Sequence, residues 1–238
     1  MVDSSATDEI VFLLDVDNTL LDNDHILVEL KAFLIREIGE ENSARYWVIF
    51  EMLRTERGYA DYLGALQQYR LEHLDDARGL LIAEFFLDYP FVDRLYADAL
   101  ALIKHLQTLG KTVILTDGEA VLQPRKIKRS GLWEAVDGQV LIYIHKETML
   151  DAVEQHYPAQ RYVMVDDKLR ILTAMKRVWG SRLTTVFPRQ GHYAHDPEKA
   201  HPYPAADVTI EHIGELIHHD FCIGLGAADI RSASLEEL

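Results

Sequence analysis

Short apolar runs that each stop at a charged or hydroxyl residue constrain this chain more than any other feature. Residues 10–14 (IVFLL) are apolar and partly β-branched, and they end at Asp15-Val16-Asp17-Asn18-Thr19. That pattern predicts a buried strand running into a polar loop. The texture returns at 112–115 ahead of Thr116-Asp117-Gly118, at 140–144 ahead of His145-Lys146, and at 162–165 ahead of Asp166-Asp167. Two further strands are predicted at 183–187 and 208–210. Helical stretches separate them: 94–109 closed by Gly110 as a C′ glycine, a segment with Arg125, Lys126 and Lys128 leading to Gly131, then 148–157 and 213–218. Strands alternating with helices predict an α/β fold, a parallel sheet with helices on both faces.

One block breaks the alternation. Between about Leu21 and Leu87 the apolar residues recur at three- and four-residue spacing, as in Ile26, Leu30, Phe33 and Leu34 and in Tyr62, Leu66 and Tyr69. This predicts an inserted all-helical unit. Asp88-Tyr89-Pro90 ends it, because Pro90 disfavours helix at the residue before it. The expected organisation is therefore a core of residues 1–21 and 91–238 with a helical insert at 22–90. Asp22 and Asp24 mark the hinge and cap the first inserted helix. Tyr46, Trp47, Phe50, Tyr59, Tyr62 and Tyr69 are read mostly as the core of that insert. The small, acidic tail after Gly226 is expected to be loosely held.

Charge and cysteine usage narrow the partners. The 238 residues carry 24 basic and 39 acidic side chains, a net charge of −15. Such a surface repels polyphosphate and anionic lipid, which argues against nucleic-acid polymers and membranes but not against a small anionic substrate. Cys222 is the single cysteine, so no intrachain disulfide or Cys₄ zinc site can form, in keeping with a reducing cytoplasm. No apolar run approaches the roughly 20 residues of a membrane span, and no signal peptide is visible at the N-terminus. Oligomeric state is left open.

In an open α/β sheet, ligands bind beyond the carboxyl ends of the strands. Four strands here end in functional groups. Asp15, Asp166 and Asp167 offer the hard oxygens that Mg²⁺ prefers, and clustered carboxylates stay ionised only with a cation among them. Lys146 offsets that charge. Thr116 and the backbone N–H groups of Asp117 and Gly118, near a helix start, are expected to donate to phosphoryl oxygens, with the Asp117 side chain a minor factor. Metal and fixed donors around a transferring phosphoryl group are what that reaction needs. Lys126 and Lys128 are read as a solvated helix face. Arg54, Arg57 and Tyr59, beside Gly58 in the insert, are candidate substrate contacts; for the two arginines, three apart, the rival is a solvated face paired with Glu51 and Glu56. The 187–204 loop holds His192, His195 and His201 among four prolines; it is read as a stiffened loop near the rim rather than a zinc site.

These motifs resemble those of the haloacid dehalogenase (HAD) superfamily. Asp15-Val16-Asp17-Asn18-Thr19-Leu20 is similar to its DxDxT motif I, Thr116-Asp117-Gly118 to motif II, Lys146 to the motif III lysine and Val165-Asp166-Asp167 to the acidic motif IV. The helical insert resembles the family's type C1 cap. The resemblance implies a Rossmann-like core, Mg²⁺ and an aspartyl-phosphate intermediate, with Asp15 as nucleophile and Asp17 as the acid/base. The Asp17 backbone carbonyl would join Asp15 and Asp166 on the metal. Halo-acid dehalogenases of the same fold lack the second motif I aspartate, so Asp17 points to hydrolysis of a small phosphate monoester, from a small phosphorylated metabolite. Val165 stands where many relatives have glycine and Arg170 where a later acid is common, leaving Asp167 as the second acid. A phosphomutase or phosphonate-cleaving enzyme, with Lys31 the sole lysine of the insert, and a non-catalytic phospho-ligand sensor are the alternatives.

Overall fold

A computed structural model describes residues 8–196, 198 and 202–221. Pro197, His201, Cys222, the N-terminal 1–7 and the tail after Gly226 lie outside the described residues, and so do the expectations placed on them.

Val11, Phe12, Leu13 and Leu14 are wholly buried in β1 (Asp8–Leu14), the central strand of the sheet. β2 (Lys111–Asp117), β3 (Val140–Tyr143), β4 (Ala159–Val165), β5 (Leu183–Pro188) and β6 (Val208–Ile210) complete a six-stranded sheet in the order β3-β2-β1-β4-β5-β6. Every pairing is parallel, as the alternation of strands and helices predicts. The chain moves outward from β1 to β2 and β3, then returns to β4 on the other side. This reversal opens a crevice beyond the end of β1.

Register fixes what meets there. Leu14 pairs with Ile114 on one side and Val165 on the other. Asp15 therefore leaves the sheet level with Leu115 and Asp166. Alternation of side chains along β1 sends Phe12 and Leu14 to one face and Val11 and Leu13 to the other, where separate apolar clusters cover them.

Between β1 and β2 the chain forms α1 (Asn23–Ile38), α2 (Glu40–Arg57), α3 (Tyr62–Glu72) and α4 (Gly79–Asp88). In α1, Ile26, Leu30, Leu34 and Ile38 recur every four residues and are buried, so one stripe drives the packing. Tyr46, Phe50 and Tyr69 are buried among these helices. Asp22 N-caps α1, accepting from the His25 N–H at 2.9 Å. Both linkers are tied together: Asp22 N donates to Arg94 O, Tyr96 N donates to Leu20 O, and Leu21 bridges Leu95.

Ahead of β2 lies α5 (Ala99–Leu106), and after β2 come α6 (Leu122–Arg129), α7 (Leu132–Ala135), α8 (Leu150–His156), α9 (Leu169–Trp179) and α10 (Gly191–His195). The helix α5 is shorter than the 94–109 segment predicted, because a 3₁₀ turn at Phe91–Arg94 and the Leu21–Leu95 bridge occupy its expected start. The 213–218 segment is a 3₁₀ helix. Gly110 follows α5 without a left-handed backbone. A Cβ there would fall on the Ile10 carbonyl oxygen, so close approach to β1 requires glycine.

Candidate active site

Lys146 is the hub of the crevice. Its side chain, with 0 % exposure, places Nζ 2.5 Å from Asp15 Oδ1, 2.6 Å from Asp166 Oδ2 and 3.2 Å from Leu115 O. The approach to Asp166 Oδ2 is an ion pair without hydrogen-bond alignment, so that oxygen stays without a hydrogen-bond partner among the described residues. Burial works against the lysine's charge, but Asp15, Asp166 and Asp117 outweigh it and raise its pKa.

The same balance sorts the carboxylates. Burial pushes Asp15 upward, yet Lys146 and Lys168 more than reverse this and hold it below the usual carboxylate range. Asp166 is raised, and Asp167 is pushed up to about 8, chiefly by burial. Asp15, Asp166 and Asp167 each bring an oxygen within 4.8 Å of the others. Both Asp167 oxygens lack hydrogen-bond partners among the described residues, and the nearest cation is Lys168 Nζ at 3.3 Å. Buried, orphaned carboxylate oxygens converging on one point match the donor set of a hard divalent cation. The residues present therefore fit Mg²⁺. Asp17 contributes no side-chain oxygen to this group.

Thr19 braces the cluster from within the loop. Its hydroxyl faces Asp15 Oδ2 at 3.4 Å and accepts from the Asp167 N–H at 3.2 Å. Asn18 adopts a left-handed backbone, φ 60°, and its side-chain oxygen accepts from the N–H groups of Asn23 and Asp24. The loop is thereby tied to the first turn of α1.

Several expectations need correction. The Gly118 N–H donates to Tyr143 O at 2.9 Å, extending the β2–β3 ladder, so it is not free for a phosphoryl oxygen. Gly118 lies four residues ahead of α6. The Asp117 side chain is no minor factor: Oδ1 accepts the Lys146 N–H at 2.7 Å, and burial raises its pKa to about 6. It holds the loop that delivers Lys146. Thr116 is buried at the end of β2, where its hydroxyl accepts from Gln123 Nε2 at 3.1 Å.

Lys126 is not on a solvated face. It is 3 % exposed, with Nζ 2.6 Å from Asp17 Oδ1 and 3.0 Å from Asn23 Oδ1. The pattern held the signal: Lys126 follows Leu122 by one helical turn, on the side shared with Gln123 and Ile127, whereas Lys128 points away and covers the Trp133 ring. Arg125 and Arg129 in the same helix bind the carbonyls of Leu87, Asp88 and Tyr89 where α4 ends.

Arg54 and Arg57 share the end of a continuous α2 but have different partners. Arg54 Nη2 reaches the Tyr193 hydroxyl at 2.8 Å, whereas Arg57 pairs with Asp61, the N-cap of α3. Gly58, with φ +78°, lets the end of α2 pack on the His145 ring beside Lys146. The insert thus touches both flanks of the crevice. Residues 191–195, expected to lie in a stiffened loop, form α10, which docks through His192, whose N–H and ring both meet Asp24. Lys168, which the sequence reading missed, lies over the Tyr193 ring at 5.2 Å. Arg170 pairs with Glu147 and also feels the charges of Asp117 and Asp166, and Lys31 is exposed over Trp47 rather than in the crevice.

A family model described as haloacid dehalogenase-like hydrolase matches residues 11–178. A haloacid dehalogenase-like hydrolase from Burkholderia xenovorans LB400 shares 65% identity over 89% of this chain and 99% of its own, with a TM-score of 0.86. The HAD-hydrolase YfnB of Bacillus subtilis, in a magnesium-bound structure, is 18% identical over 88% and 97% of the two chains, TM-score 0.58. A structure from Clostridium difficile described as a phosphatase is 14% identical over 90% and 98%, TM-score 0.59. These last two share the fold. A search of curated proteins finds no match. No helix among the described residues is long and apolar enough to cross a membrane.

Proposed function

This chain belongs to the haloacid dehalogenase-like hydrolase family, and from that premise we propose that it hydrolyses a small phosphate monoester with Mg²⁺. The observation that carries the reading is a pair of unlike carboxylates two residues apart. Asp15 is buried and held ionised against Lys146, while Asp17 retains 27 % side-chain exposure at the rim of the crevice. The first suits a nucleophile, the second a group that exchanges protons with substrate and water.

Asp15 attacks phosphorus, forming an aspartyl phosphate as the bond to the leaving oxygen breaks. Asp17 protonates that oxygen, then takes a proton from the water that hydrolyses the intermediate and releases phosphate. Lys146 orients Asp15, and Thr116 donates to a phosphoryl oxygen. Asp15, Asp166, Asp167 and the Asp17 carbonyl would hold the metal, which when bound neutralises phosphoryl charge. Halide displacement would need no proton donor, so Asp17 favours the phosphate reading over the dehalogenase one.

The helices at 22–90 serve as a cap over the crevice, excluding bulk water and polymeric substrates. The partner is then a small phosphorylated metabolite of the cytoplasm. A phosphate-release screen across small monoesters, with Mg²⁺ and with chelator, tests the proposal. Metal-dependent release from one or a few compounds is expected. No release from any of them by the folded protein would overturn it and favour a mutase, a phosphonatase or a sensor.

A further inference from the structure

We infer that Lys126 is a positioning residue for Asp17, one that ties its carboxylate to the first turn of the cap. The inference rests on the phosphatase reading above. Lys126 comes from α6, in the core, yet its ammonium bridges two groups on the chain's path into the insert: Asp17 Oδ1 at 2.6 Å and Asn23 Oδ1 at 3.0 Å. Asn23 is the first residue of α1.

Placing an ammonium at 3 % exposure is costly unless its partners are fixed. Leu122 and Ile127 give this side of α6 its apolar packing, and Gln123 is the other buried polar residue on it. A leucine would fit the helix pattern equally well. What lysine adds is a directed bond to a carboxylate that accepts no other hydrogen bond among the described residues. The Tyr62 hydroxyl of α3 also feels this centre: burial raises its pKa, and the Asp17 charge raises it further. Asp17 thus sits where core and cap converge, and Lys126 is the group that spans them. The same side of α6 sends Gln123 to Thr116 one turn earlier. One helix face therefore aligns two strand-end groups, the phosphate donor and the proton carrier.

A group that places the proton carrier matters most when the leaving oxygen is basic. The test is Lys126→Met, assayed with p-nitrophenyl phosphate and with the alkyl phosphate that the wild-type protein turns over fastest. The expected result is a fall in kcat of about 10- to 100-fold on the alkyl ester, a loss within about 3-fold on the aryl ester, and little change in KM. Lys126→Arg should restore part of the alkyl activity. A crystal structure of Lys126→Met should show the Asp17 carboxylate in another rotamer. Equal losses on both esters, or an unmoved Asp17, would overturn the inference while leaving the phosphatase reading intact. Should Lys126→Met not fold, Asn23→Ala carries the same test, with a smaller loss in the same direction. A wild-type protein that releases phosphate from no ester removes the phosphatase reading, and this inference with it.

Discussion

Lys146 Nζ lies 2.5 Å from Asp15 Oδ1, and neither side chain is more than 3 % exposed. A carboxylate buried this deeply stays charged only because the ammonium is equally buried beside it. The pair is also the shared boundary of the site: one partner ends β1, the other follows β3, and Asp166 completes the group from β4.

Lys146→Met should therefore destabilise the metal-free protein by about 3–5 kcal/mol, since Asp15 and Asp166 lose their counter-charge. Urea unfolding with chelator and with Mg²⁺ measures this. The loss should shrink when Mg²⁺ is present, and a variant as stable as wild type in chelator would contradict the account of the hub.

Asp15→Asn should abolish turnover with the fold retained by circular dichroism. Asp17→Asn should slow turnover by about 10²- to 10⁴-fold, the usual contribution of a positioned acid/base. Normal activity in the first variant would sink the nucleophile assignment. Unchanged turnover in the second would remove the acid/base role.

Stability should depend on pH in the opposite sense from most carboxylate-stabilised proteins. Asp117 is raised to about 6 and Asp167 to about 8 from an ordinary 3.8. A carboxyl raised by folding holds its proton more tightly folded than unfolded. Its stabilisation is complete below the unfolded value and fades as pH climbs through the folded one. Metal-free protein should thus melt at progressively lower temperature between about pH 4 and pH 8, with Mg²⁺ offsetting the decline because it favours the ionised forms. Scanning calorimetry across that range, with and without chelator, decides it; a metal-free melting temperature that rises with pH refutes it.

Gly110→Ala should cost about 1–3 kcal/mol, because the new methyl group meets the Ile10 backbone carbonyl, which cannot step aside without disturbing β1. Gly131, where a Cβ meets nothing within 4 Å, has φ +79° and should lose stability through backbone strain alone. Denaturant midpoints of the two alanine variants compare the mechanisms. A neutral Gly110→Ala would show that the strand has slack there.

The sequence alone determined the alternation of strands and helices, the parallel sheet, the helical insert and the strand-end placing of Asp15, Lys146, Asp166 and Asp167. All of these follow from local rules: a run of apolar residues fixes a strand, its polar terminus fixes an edge, and a parallel sheet gathers such edges. Only tertiary structure decided how the polar groups pair. Lys126 and Lys128 are two residues apart in one basic stretch, yet one is sealed against Asp17 and the other lies exposed over Trp133. Gly118 looked like a free donor until β3 arrived to accept its N–H, and Asp117 looked like a turn residue until the Lys146 loop closed on its carboxylate. Burial is a property of what packs on a residue from distant chain. A pattern with a period of two or four residues records which face turns inward, but not which partner waits there.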